Sequence, residues 1–70
     1  MSLISLAQNL DRIANREYPY FQMPIVSEIK KVLFQNDILL LKEYIYNNES
    51  LLEKYPVIYK HLKKEVAAYQ

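Results

Sequence analysis

No glycine occurs in these 70 residues. That absence limits the chain more than any residue it contains. Glycine is the default wherever the backbone must take a positive φ or pass close to a ligand. Without it, phosphate-cradling loops, dinucleotide fingerprints and nucleophile elbows have no material to form from. Chain reversals fall instead to Pro19, Pro24, Asn36, Asn47, Asn48 and Pro56. Proline breaks are stiffer than glycine turns and narrow the unfolded ensemble. The expectation is a helical body with few hinges, suited to presenting a fixed surface rather than closing over a substrate.

A chain this short makes one domain at most, expected over residues 1–70, and buries a modest fraction of its surface. Cysteine is absent and His61 is the only histidine, which leaves no disulfide and too few ligands for a structural zinc. Packed helices, self-association or a partner must supply the stability. The 7 tyrosines are the compositional excess. Tyrosine joins a large apolar ring to one polar tip, so it is favoured at half-buried sites and at interfaces. A net charge of +1 gives no global reason to expect nucleic acid or an anionic membrane. No stretch approaches the ~18 apolar residues of a membrane span, and no basic leader opens the chain. A cytoplasmic protein is the expectation.

Helical periodicity is clearest from Leu3 to Glu17. Leu3, Leu6, Ala7, Leu10, Ile13 and Ala14 recur at the three-and-four spacing of an amphipathic helix, with Ser2 as N-cap. Tyr18 precedes Pro19, which ends the helix. The connector from Tyr18 to Pro24 carries three aromatics, a methionine and two prolines. It reads either as a lid over the core or as an exposed set of anchors. Pro24 suits the first position of a second helix, with Ile25, Ile29, Val32 and Leu33 on its apolar face. That helix should stop near Gln35 and Asn36. Asn36 or Asp37 then caps a third helix, which Asn47 and Asn48 end through an αL cap. Ile38 to Leu41, Tyr44, Ile45 and Tyr46 make this helix apolar on nearly every side, the pattern of a buried central helix. Ser50 and Glu53 have capping-box spacing. Pro56 opens a last helix to about Tyr69, with Ile58, Leu62, Val66 and Tyr69 as its stripe. The segment from Pro24 to Asn48 is a helix–turn–helix pair like those of ankyrin-type repeats, but it lacks their turn glycine, and no family is identified.

Catalytic chemistry is hard to assemble. His61 has Glu65 within helical reach but no serine nearby in sequence, and a solvated histidine is the simpler reading. The acidic residues are scattered, and a di-metal Glu-x-x-His pair is missing. No catalytic, cofactor-binding or metal-binding residue is expected, and no cofactor.

The fold expected is all-α, a small bundle of three main helices plus a short fourth. Its core should hold Leu6, Leu10, Ile13, Ile29, Val32, Leu33, Ile38, Leu41, Ile45, Ile58, Leu62 and Val66. The function expected is a non-enzymatic protein-interaction module, an adaptor or an inhibitor that occupies a partner's surface. Tyr18, Tyr20, Phe21 and Met23 form the leading contact set, with Tyr55 and Tyr59 as a second. The partner's identity is open, and homodimerisation is the simplest version. The alternative is a helix–turn–helix DNA-binding regulator using Lys60, Lys63 and Lys64. Nucleic acid is the less favoured partner, because the third helix is too apolar to enter a major groove. No membrane partner is expected.

Overall fold

The computed structural model describes residues 2–18 and 24–69. Five helices follow in order: α1 (Leu3–Glu17), α2 (Pro24–Phe34), α3 (Ile38–Asn47), α4 (Glu49–Leu52) and α5 (Pro56–Ala68). The all-α bundle expected from the sequence is what forms. The radius of gyration, 11.1 Å, equals the about 11 Å expected of a compact chain of this length.

Local chemistry sets most helix ends. Ser2 Oγ accepts from the Ser5 N–H at 3.1 Å and caps α1. Asp37 Oδ1 accepts from the Leu39 N–H at 2.9 Å and caps α3. Between α2 and α3, Asn36 takes φ 55°, the only positive φ among the described residues. Its N–H donates to the Leu33 carbonyl at 3.0 Å, closing α2. Asn is one of the few side chains tolerated there, so it does the work usually left to glycine.

Two other expected caps form differently. Asn48 does not adopt the left-handed conformation; its φ is −128°. Its side-chain Nδ2 instead donates to the Tyr44 carbonyl at 2.8 Å, satisfying one of α3's orphan acceptors. Asn48 is at once the C-cap of α3 and the N-cap of α4. With α4 starting at Glu49, Ser50 lies inside the helix, and the Ser50–Glu53 capping box does not form. The start of α5 lacks a side-chain cap of its own. Tyr18, at the end of α1, supplies the acceptor: its hydroxyl takes the Val57 N–H at 3.3 Å.

The core is centred on α1 and α2, which make the most extensive helix–helix contact. Leu3, Leu6, Ala7, Leu10 and Ala14 of α1 pack with Ile25, Val26, Ile29 and Leu33 of α2. Ile58 and Leu62 of α5, Leu41 of α3 and Leu52 of α4 complete it. Each fully buried leucine or isoleucine contributes roughly 1.5–3 kcal/mol of transfer free energy. Ile13, Val32, Ile38, Ile45 and Val66, expected in the core, are half-buried and packed against it. An exposed Lys30–Asp11 ion pair at 2.7 Å also links α2 to α1. Such a pair adds about 0–1 kcal/mol.

One expectation fails outright. The third helix is not central. Only Leu41 of α3 is buried. α3 packs mainly against α5 and α2 from one side. Enclosing a helix apolar all round needs elements on both faces, and α1 and α2 have already spent their apolar stripes on each other. Tyr69 likewise falls outside the core, 50% exposed at the end of α5. Glu65 takes a place on the buried face of α5 instead.

Candidate functional site

The residues expected to bind a partner divide into three groups. Tyr20, Phe21 and Met23 lie outside the described residues. Tyr18 and Tyr55 are half-buried and meet edge to face, with ring centroids 5.6 Å apart and planes at 89°. With the Tyr18 hydroxyl bonded to Val57, these two rings join the end of α1 to the start of α5. Tyr59 sits apart from them. Its hydroxyl donates to Glu49 Oε1 at 3.3 Å, and Lys63 Nζ lies 4.3 Å from its ring centroid. Its phenol is pushed up from the ordinary range, first by desolvation and then by the Glu49 carboxylate and its hydrogen bond.

Among the described residues, the large apolar side chains left exposed are Phe34, Leu39, Leu40, Tyr46 and Tyr69, three of them on α3. Leu39 is 69% exposed and Tyr46 80%. They are seven residues apart, two helical turns, and share the face opposite Leu41. Leu40, 41% exposed, flanks that face. The sequence marks the whole helix as buried, because apolarity all round is the signal for burial, yet names only Ile38, Leu41 and Ile45 as its core residues. Nothing in the sequence states which stripe of such a helix the rest of the chain will cover.

A groove runs along each side of α3. Between α2 and α3, a groove of about 360 Å³ is lined by Lys31, Val32, Leu40, Glu43 and Tyr44 among others. The Tyr44 hydroxyl donates to Glu28 Oε2 at 3.4 Å across this seam. Burial, then the Glu28 charge and this hydrogen bond push the Tyr44 phenol up to about 12. Between α3 and α5, a more apolar groove of about 240 Å³ is formed by Ile45 and Val66 with Tyr46 and Tyr59. Lys42, Lys63 and Glu49 are its charged lining. Thus Tyr59, from the expected contact set, borders the α3 surface that the sequence did not single out.

Lys60, Lys63 and Lys64 are exposed on α5. Lys63 is drawn over Tyr59, and Lys64 turns with half-buried His61 toward a cavity of about 230 Å³. Glu65 and Leu6 also line that cavity. Glu65 is 5% exposed, and its Oε1 has no hydrogen-bond partner among the described residues. Among those residues no group of three or more His, Cys, Asp or Glu side chains is placed to hold a metal. No described helix is long and apolar enough to cross a membrane. No protein-family model, curated protein or solved structure matches the chain.

Proposed function

We propose that this protein is a non-enzymatic interaction module that presents the outer face of α3 to a protein partner. One observation carries the reading. α3 buries Leu41, packs Ile38, Tyr44 and Ile45 partly against the core, and leaves Leu39, Leu40 and Tyr46 exposed. Scattered exposed apolar residues are ordinary on a protein surface. A leucine pair and a tyrosine on one short helix, bordered by two grooves, are the material of an anchor site. Caps at both ends of α3, from Asp37 and Asn48, hold that face in place. An adaptor or an occupying inhibitor needs no more chemistry than this.

A Leu39→Ser/Tyr46→Ser double variant tests the reading by comparative affinity capture from host cells. The wild type is expected to retain a stoichiometric protein partner that the double variant loses, while both keep the same helical circular dichroism. A partner retained equally by both would remove α3 from the contact surface. Sedimentation of the wild type at micromolar concentration separates self-association from a foreign partner.

A further inference from the structure

The chemistry of the occupant can be read from the groove between α3 and α5, resting on the interaction reading above. Ile45 and Val66 are half-buried on the core and form the apolar floor, and Tyr46 and Tyr59 stand beside them. The volume, about 240 Å³, falls below the roughly 300–1,000 Å³ of sites for whole small molecules. It equals about eight waters at roughly 30 Å³ each, room for one large side chain. The size therefore favours an anchor residue of a protein segment over a cofactor.

Charge along the groove is uneven. At one end the Glu49 carboxylate is engaged by the Tyr59 hydroxyl at 3.3 Å. Lys42 lies on α3, seven residues before Glu49, which begins α4. Lys63 is held beside the groove by the Tyr59 ring at 4.3 Å. Among the described residues neither lysine has a carboxylate within ion-pair distance; the described ion pair is Lys30–Asp11, on α2 and α1. Two ammonium groups thus outnumber the single carboxylate in the lining of an apolar slot.

We infer that the α3–α5 groove takes an acidic amphipathic segment of a partner protein, seating one leucine or aromatic side chain between Tyr46 and Tyr59 with Asp or Glu neighbours paired to Lys42 and Lys63. This is helix-in-groove recognition, with apolar burial supplying affinity and the lysines supplying selectivity.

Selection from a display library of short random peptides tests it, using folded wild-type protein and a Lys42→Glu/Lys63→Glu variant as baits. The wild type is expected to enrich peptides with an aromatic or leucine anchor and an acidic residue within one helical turn. The charge-reversed variant should bind those peptides about tenfold or more weakly and enrich basic flanks instead. A Tyr46→Ala bait, which leaves the core untouched, should lose both sets. Peptides lost with Tyr46→Ala but indifferent to the charge reversal would overturn the acidic assignment and leave the interaction reading standing. Selection of no peptide by the wild type would overturn both. Displacement of an enriched acidic peptide by a short oligothymidylate, with the loss tracking Lys63, would assign the groove to nucleic acid and overturn the inference.

Discussion

Glu65 offers the most direct test of how this small core is assembled. Its side chain is 5% exposed on the inner face of α5, one turn from Leu62 and beside Leu6 of α1. Oε1 has no hydrogen-bond partner among the described residues. An unsatisfied buried polar group costs about 1–3 kcal/mol, and a charged one more. Replacing it with methionine keeps the chain length, removes the polar atoms and leaves packing against Leu6 intact. Glu65→Met is therefore expected to stabilise the protein by about 1–2 kcal/mol. For a domain of this size each kcal/mol moves Tm by about 4–8 °C, so the expected gain is roughly 5–15 °C. Glu65→Gln removes the charge but keeps two polar groups, and should fall between wild type and Glu65→Met. Urea unfolding followed by circular dichroism gives the free energies, with an unchanged m-value as the control that the unfolded state is the same. A drop in stability for Glu65→Met would refute the reasoning, because it would mean that the carboxylate is bonded in solution. A change smaller than about 0.5 kcal/mol would refute it too, showing the group hydrated through the adjoining cavity.

The one-sided packing of α3 separates its leucines by consequence. Leu41→Ala should cost about 2–5 kcal/mol, whereas Leu39→Ser, on the opposite face, should stay within about 0.5 kcal/mol by the same urea measurement. Equal losses at the two positions would restore α3 to the core. At Asn36 the left-handed φ of 55° makes Asn36→Ala cost about 1 kcal/mol. Asn36→Gly should leave stability unchanged or raise it, and a loss on both substitutions would point to a role for the amide itself. Tyr44 sets an alkaline limit. Its phenol rises from 10.0 to about 12 in the folded protein, so the native state holds that proton more tightly than the unfolded chain. The stabilisation is complete below pH 10 and is lost as pH rises from 10 toward 12. Denaturation midpoints across that window should fall for wild type and fall less for Tyr44→Phe, with ultraviolet absorbance following phenol ionisation; identical slopes would exclude Tyr44.

Local signals were legible where the chain decides alone. The α1 stripe, the Ser2 and Asp37 caps and the prolines opening α2 and α5 rest on contacts within a few residues. So does the stop at Tyr18. The capping box at Ser50 and Glu53 failed because Asn48, ending one helix, had already begun the next. Of the candidate surface, Tyr59 was legible from tyrosine's amphipathic character. Leu39, Leu40 and Tyr46 were not, because the same residues serve a core or an interface equally well. Glu65 was missed for the converse reason: a charged residue reads as surface until its neighbours are known.

The sequence by itself determined an all-α chain with stiff reversals. It did so because helix periodicity, proline and the lack of glycine act through local geometry. It also pointed to asparagine as the stand-in for glycine, a role the structure gives to Asn36 rather than to the expected Asn47 and Asn48. Only the tertiary structure decided which apolar stripes meet. α1 and α2 satisfy each other, α5 packs against α1 and α3, and α3 is left with one buried leucine and an uncovered face. Burial is a property of pairs of surfaces, and the pairing depends on how much complementary surface the rest of the chain has left. In a chain this short that supply ran out at α3, and there the candidate site lies.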